Sequence, residues 1–321
     1  RYEAGVLQME LRLFDPFRSS LLVGKRYTGP EENERRIVLR FANEIIYRLT
    51  GRSGLFDSQV AFVGADEKGK SIYTCDFDGK NIQRVTDPQP IVISPAWRPD
   101  GKAIAYTAYT DNRPEIYLKD LDTGEVAKLT AFEGINITPS WLPDGSALAA
   151  TLSYQGDEEI YLLTPDGKVD KRLTNSWGVD VSPSFSPDGE QMVFVSNRSG
   201  SPQLYVQERS SGRIRRLTYE GQYNTQPDWS PVGDRIVYSG MKDGYIDIFV
   251  IDVNTGEISQ LTREAGDNEA PSWSPDGSMI VFSSTRNGPS RIFVMTASGT
   301  DQRMLLEMEG KQVLPDWSPG R

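Results

Sequence analysis

The sequence PAWRPDG at residues 95–101 is the first of a series of related stretches that begin 44 residues apart. Each stretch has a proline, an intervening residue, an aromatic side chain and then a second proline, and the aromatic positions are Trp97, Trp141, Phe185, Trp229, Trp273 and Trp317. The last copy is cut short because the sequence ends at Arg321. A fixed period of this size is the signature of a repeat architecture.

Three further markers keep the same spacing. An apolar strand centre recurs at Val60, Ile104, Leu148, Met192, Ile236 and Ile280. A Tyr or Phe recurs at Tyr73, Tyr117, Tyr161, Tyr205, Phe249 and Phe293. A Thr recurs at Thr86, Thr130, Thr174, Thr218 and Thr262, with Leu306 in the sixth place. The unit after Thr130 resolves into four strands, at 138–141, 147–151, 159–163 and 171–173, which is the content of a propeller blade.

We therefore predict an all-β six-bladed β-propeller over residues 55–321. The repeated aromatics should pack between blades, and the Asp-Gly pairs that follow most of them should form tight turns. Residues 59–86 supply three strands with no inner strand before them, whereas Val313–Trp317 supplies an inner strand with nothing after it. The C-terminal strand is expected to complete the first blade and close the ring.

Residues 1–54 do not follow the repeat, and we predict a partial α/β domain there. Alternating apolar residues at 7–13 and a partner at 21–27 indicate a hairpin, and the 3.6-residue period from Ile37 to Leu49 indicates a helix. The segment 28–31 is expected to cap the start of the helix, and Gly51 is expected to end it. Because a hairpin and a helix form a thin core, we expect part of this domain to be missing. The start at Arg1 also suggests a processed or trimmed chain.

Composition excludes several function classes. The chain has no histidine, so Ser-His-Asp and Cys-His catalysis are excluded within it. Residues 1–58 carry ten Lys and Arg against eight Asp and Glu, whereas the remainder carries 25 against 37. An acidic body of this kind disfavours nucleic acid as a partner. No apolar stretch is long enough to span a membrane, and the single cysteine, Cys75, is expected to be a buried structural residue.

The whole chain resembles the TolB family, the periplasmic propeller proteins of the bacterial Tol–Pal system. The resemblance rests on the order of hairpin, helix and propeller, on Gly24–Tyr27 and Gly51–Asp57, and on the ending at 313–319. It implies a monomeric, non-enzymatic periplasmic scaffold without a cofactor or metal. The implied partners are the lipoprotein Pal, on the propeller, and TolA, through an N-terminal segment absent from this sequence. The implied role is in outer-membrane integrity and cell division.

The partner site is predicted on the loops before each Pro-x-aromatic strand, since these are the least repetitive parts of the units. Trp177 is the only Trp outside the repeat, and Trp is enriched among interface hot spots. An alternative interpretation is that Trp177 covers a blade edge. The predicted partner-binding residues are Asn136, Ile137, Thr138, Trp177, Asp180, Val181, Asn224, Thr225, Gln226, Asn268 and Glu269.

Two other functions stay open from the sequence. A hydrolase or lactonase could use a metal held by Asp, Glu and Asn around the channel, and the candidate carboxylates are Asp180, Asp228, Asp267 and Glu269. A propeller that binds another envelope protein or a glycan would share the fold and differ only in its partner.

Overall fold

The computed structural model describes residues 2–3 and 6–320. Arg1, Ala4, Gly5 and Arg321 belong to the two predicted domains but lie outside the described residues. The chain divides into two compact units, Arg1–Ser58 with Gly320–Arg321, and Gln59–Pro319. Among the described residues, no helix combines the length and the apolar character needed to cross a membrane.

The smaller unit is an antiparallel sheet with one helix. Its strands are β1 (Tyr2–Glu3), β2 (Val6–Asp15) and β3 (Ser20–Pro30), and a 3-10 turn at Glu31–Asn33 leads into α1 (Glu34–Thr50). The predicted hairpin and helix are confirmed. Gly51 ends the helix in the left-handed conformation, as expected, with its N–H bonded to the Tyr47 carbonyl. The predicted cap is wrong by about a turn, because the N-cap is Asn33 and its side chain makes no capping bond.

The larger unit contains six antiparallel sheets of four strands each, which confirms the predicted propeller. The second and third blades are β7 (Val92–Trp97), β8 (Ala103–Thr110), β9 (Arg113–Asp120), β10 (Val126–Thr130), β11 (Asn136–Trp141), β12 (Leu148–Leu152), β13 (Glu159–Leu163) and β14 (Val169–Arg172). The fourth and fifth are β15 (Asp180–Phe185), β16 (Gln191–Ser196), β17 (Gln203–Glu208), β18 (Ile214–Arg216), β19 (Asn224–Trp229), β20 (Arg235–Lys242), β21 (Tyr245–Asp252) and β22 (Ile258–Gln260). The sixth is β23 (Asn268–Trp273), β24 (Met279–Ser284), β25 (Arg291–Thr296) and β26 (Arg303–Met304).

The first blade is assembled from both ends of the propeller sequence. It holds β4 (Gln59–Asp66), β5 (Gly69–Asp76) and β6 (Gln83–Arg84), with β27 (Lys311–Trp317) as the inner strand. β27 pairs antiparallel with β4, and Trp317 lies opposite Val60. The predicted closure of the ring by the C-terminal strand is confirmed.

The repeated markers have structural roles. Each aromatic packs against the preceding blade: Trp141, for example, joins a buried cluster with Ala105 and Ile116 of the second blade. The repeated Thr accepts a hydrogen bond from the third strand of its own blade, as in the 2.9 Å contact from the Ile160 N–H to the Thr174 hydroxyl. These contacts explain why the same side chains return at every step.

Candidate functional site

One face of the propeller carries the loops that lead into the inner strands. Because neighbouring strands are antiparallel, these loops emerge beside the turns that join the second and third strands of each blade. Backbone N–H groups of the turns bond to loop carbonyls in five blades, namely Tyr109 to Ile91, Ser153 to Ile135, Asn197 to Val179, Met241 to Tyr223 and Thr285 to Asp267. We call this face, with loops 85–91, 131–135, 173–179, 217–223, 261–267 and 305–310, the loop face.

Every inner strand contains a β-bulge directly before the repeated proline. The bulged residues have φ between 51° and 55°, and they are Ser94, Thr138, Ser182, Gln226, Ala270 and Leu314. The strand register shifts at each of these points. Left-handed backbone costs a residue other than glycine roughly 1–2 kcal/mol, so surrounding contacts must hold each bulge in place.

Two predicted site residues, Thr138 and Gln226, occupy bulge positions and connect neighbouring blades. The Thr138 hydroxyl lies 2.9 Å from the Thr151 hydroxyl and accepts a 3.4 Å hydrogen bond from the Ser182 N–H. The Gln226 Oε1 accepts a 2.9 Å hydrogen bond from the Ala270 N–H. In both cases the side chain reaches the bulged residue of the next blade, so it supports the wall of the channel.

Four other predicted residues begin inner strands with buried side chains, and they are Asn136, Asp180, Asn224 and Asn268. The Asn136 amide donates to the Phe132 carbonyl at 2.8 Å and accepts from the Phe132 N–H at 3.2 Å. The Asn224 amide donates to the Glu220 carbonyl at 2.9 Å. These side chains hold the loops in shape, and their predicted contact with a partner stays a prediction.

The next position along each inner strand is half-buried, and its predicted members are Ile137, Val181, Thr225 and Glu269. Burial raises the pKa of Glu269, and the negative charge of Asp267 adds to this effect. The hydroxyl of Thr225 is buried without a hydrogen-bond partner in the described part of the chain. The structure therefore brings the predicted residues onto one rim but exposes them to different degrees.

Trp177 projects from the loop face on a tightly held loop. Its side chain is 73% exposed. The neighbouring Gly178 is buried, and a Cβ there would lie 2.4 Å from the Asn197 Oδ1 and 2.9 Å from the Arg198 N. The Val179 N–H donates to the same Asn197 Oδ1 at 2.8 Å. The loop therefore presents a large aromatic ring from a fixed backbone.

Two ion pairs lie beneath this loop. Arg172 pairs with the buried Glu159 at 3.0 Å, and Arg198 pairs with the buried Asp180 at 2.6 Å. The Ser176 N–H links the loop to the Glu159 Oε1 at 2.6 Å. Burial raises the pKa of Glu159, and the negative charge of Asp180 raises it further. The hydrogen bonds that Glu159 accepts only partly offset this rise. Asp180 therefore supports the loop that carries Trp177.

The exposed large apolar side chains of this face concentrate in the fourth and fifth blades. They form what we call the aromatic patch: Trp177, Tyr219, Tyr223, Met241 and Tyr245. Tyr219 is 72% exposed and lies under the Arg216 guanidinium, 4.9 Å from the ring centroid. Of these residues, only Trp177 was predicted from the sequence to contact a partner. The other four could have been found from the sequence as aromatic or Met residues that lie in or beside a loop or turn outside the repeat pattern.

The carboxylates considered for a metal have other contacts. Asp228 accepts a 2.8 Å hydrogen bond from the Trp273 N–H, and burial raises its pKa to about 6. Asp267 accepts a 3.3 Å bond from the Ile246 N–H. Within residues 2–3 and 6–320, no group of three or more His, Cys, Asp or Glu side chains is placed to hold a metal ion.

Comparison with known proteins adds three findings. A family model described as the TolB beta propeller domain matches residues 46–321. The Tol-Pal system proteins TolB of Desulfosudis oleivorans and Syntrophus aciditrophicus are 52% and 42% identical over 110 and 112 residues. These alignments cover 34% of this chain, and the chain spans only 25% of each relative.

A solved structure matches nearly the whole chain. The crystal structure of TolB from Acinetobacter baumannii superposes with a TM-score of 0.87 and 30% identity, over 98% of this chain and 82% of that one. Both the repeat and the blade-by-blade topology agree with the family model, which covers most of the sequence. The chain belongs to the TolB β-propeller family.

Proposed function

We propose that this chain is a non-enzymatic, monomeric periplasmic scaffold of the Tol–Pal system. In this proposal it binds the lipoprotein Pal on the loop face and supports outer-membrane integrity and cell division. The relatives named Tol-Pal system protein TolB support the assignment to that system. No residue of this chain is assigned to contact with TolA.

The observation that carries the proposal is the rigid presentation of Trp177. A side chain that is 73% exposed on a fixed backbone can be buried by a partner with little loss of backbone entropy. Tyr219 and Tyr245, at 72% and 51% exposed, extend the same surface. Trp and Tyr dominate interface hot spots. The aromatic patch is therefore proposed as the centre of the Pal interface.

The residues at the bulges and at the starts of the inner strands are proposed to position this surface. Thr138 and Gln226 join blades at the rim, and Asn224 ties its loop to Glu220. The half-buried residues at the second position of the inner strands are available to a partner that reaches the channel mouth, and they are Ile137, Val181, Thr225 and Glu269. In this view the scaffold supplies a preformed binding surface.

The experiment is a calorimetric titration of the chain with the soluble domain of Pal from the same bacterium, followed by hydrogen exchange of the complex. We expect saturable binding, with protection in loops 173–179 and 217–223. Absence of binding would contradict the assignment to Pal. Protection confined to the opposite face, around the turns at 121–125 and 253–257, would contradict the proposed site.

A further inference from the structure

A shallow surface cavity of about 400 Å³, widely open to solvent, lies near the junction of the sixth and first blades. Its lining residues are Arg291, Met304, Glu307, Met308 and Glu309. Glu307, Met308 and Glu309 come from the last loop of the loop face, and Arg291 begins the strand after the neighbouring turn. The cavity therefore opens on the same face as the aromatic patch, on different blades.

The wall of this cavity is held from both sides. Gln312 is fully buried, and its amide donates to the carbonyls of Met308, Glu309 and Gly310 at 3.0, 3.2 and 2.6 Å. Met308 packs on the first blade, where a Cβ at Gly64 would lie 2.7 Å from its terminal methyl carbon. The loop is thus held by one buried amide and by the packing of the Met308 methyl group on Gly64.

The lining carries two carboxylates, one guanidinium and two thioethers, so acidic groups are in excess. Glu307 and Glu309 are exposed, and within the described residues neither carboxylate is in an ion pair or a side-chain hydrogen bond. The Arg291 guanidinium donates to the Gly310 carbonyl and is thereby directed to the loop backbone. Met304 and Met308 offer flexible apolar surface, which suits the methylene stem of a long charged side chain.

We propose that this cavity binds a lysine or arginine side chain of the protein partner that docks on the loop face. The stem would pack between Met304 and Met308, and the cationic head would lie between Glu307 and Glu309. The inference rests on the proposed function in taking Pal as that partner. It adds a cationic contact, on the sixth and first blades, to the aromatic contact on the fourth and fifth. Complementary charge of this kind raises the association rate and fixes the orientation of docking.

The first experiment tests the cavity without Pal. The chain has seven methionines, so methyl-labelled Met allows the cavity to be followed by NMR. Titration with an uncharged-ended Gly-Lys-Gly or Gly-Arg-Gly peptide is expected to shift the Met304 and Met308 methyl signals saturably, whereas the buried Met192 should not move. The E307Q/E309Q variant should abolish the shift, and a Gly-Glu-Gly peptide should produce none.

The second experiment measures Pal binding of E307Q/E309Q at low and moderate salt. The matched control is E125Q/E257Q, which removes the same charge from two exposed turns on the opposite face. We expect about tenfold weaker binding at low salt for E307Q/E309Q only, with a smaller loss at higher salt, because salt screens such contacts. Met304→Trp, which fills the cavity without changing charge, should weaken binding in the same way.

The outcomes separate the inference from the proposed function. Peptide shifts at Met304 and Met308, together with selective weakening of Pal binding, support it. No shift with either cationic peptide overturns it, whatever Pal does. Parent-like Pal binding by both E307Q/E309Q and Met304→Trp overturns the role of the cavity while the Pal interface stands. If the parent does not bind Pal but the peptide shifts occur, the proposed function fails and the cation-binding cavity stands.

Discussion

Asp316, on the strand that closes the ring, accepts a 2.8 Å hydrogen bond from the backbone N–H of Trp97 in the next blade. The Trp97 indole N–H also donates to the Asp316 carbonyl, at 3.2 Å. Asp228 and Trp273 repeat both contacts at the same two distances. Where a serine takes this position, as at Ser184, its hydroxyl accepts the backbone contact from the Trp229 N–H, and the Trp229 indole N–H donates to the Gly233 carbonyl instead. The residue before the repeated aromatic therefore links its blade to the following one at four positions, Ser184, Asp228, Ser272 and Asp316.

This contact predicts a pH-dependent stability. Burial raises the pKa of Asp316 to about 8, against the effect of the Trp97 hydrogen bond, and the charge of Asp228 adds to the rise. An unfolded aspartate releases its proton near about pH 4. Between these values the folded state binds more protons, so the free energy of unfolding falls as the pH rises. Asp316→Asn keeps an acceptor for Trp97 and removes this fall. The difference in the free energy of unfolding, variant minus parent, should therefore be about 1 kcal/mol or more larger at pH 8 than at pH 5.

Urea unfolding of parent and variant at both pH values measures this difference. Asp157→Asn, at an exposed turn, is the control. Its free energy of unfolding should differ from that of the parent by the same amount at both pH values. If the free energies of unfolding of Asp316→Asn and the parent differ by the same amount at pH 5 and pH 8, Asp316 titrates normally in the folded protein.

Ring closure predicts a large effect at Trp317, which is 6% exposed and lies opposite Val60 on the first blade. Trp317→Ala should lower the free energy of unfolding by about 3–5 kcal/mol, because it leaves a cavity in the closing strand. Val126→Ala, on an exposed outer strand, should change it by less than about 0.5 kcal/mol. Similar denaturation midpoints for both variants would mean that the closing strand contributes little.

Because Asp180 is buried in an ion pair, we expect its substitution to lower the stability of the fold rather than to remove a direct contact with the partner. Asp180→Ala leaves the Arg198 guanidinium without its 2.6 Å partner and should cost about 3–5 kcal/mol of stability. Asp267→Ala, an exposed loop carboxylate, is the comparison and should cost much less. If Asp180→Ala unfolds like the parent and still loses Pal binding, Asp180 contacts the partner itself.

Gly178 predicts that binding depends on the position of the loop as well as on the ring. In Gly178→Ala the new methyl group would meet the Asn197 side chain and the Arg198 backbone. We expect a stability loss of about 1–3 kcal/mol and weaker Pal binding although Trp177 is present. Glu125→Ala, at an exposed turn of the opposite face, should bind normally. Parent-like affinity of Gly178→Ala, measured by calorimetry, would mean that the loop need not be rigid.

The sequence predicted the blades because the repeated residues make the same local contacts from one copy to the next. The hydrogen bond from the Ile160 N–H to Thr174 recurs at the matching Thr of four other blades, so period and structure coincide. The helix start was less predictable, since the 3-10 turn before Asn33 has no capping side chain.

The candidate site was only partly predictable, because exposure depends on contacts between blades. Asn136 and Asn224 look like polar loop tips in sequence, yet their amides are buried against loop backbone. Tyr219 and Tyr245 are far apart in sequence, and only the blade topology places them at the same face. The Gly64 approach to Met308 likewise joins two segments from opposite ends of the propeller.

We propose that the loop face is a preformed protein-binding surface in which Trp177 is the main contact. The most direct measurement is the dissociation constant of Pal for Trp177→Ala beside the parent and the control Ile258→Ala, an apolar truncation on an outer strand. We expect a loss of about 2 kcal/mol or more of binding free energy for Trp177→Ala alone, with the melting temperature unchanged. Equal Pal affinity for Trp177→Ala and the parent would contradict it.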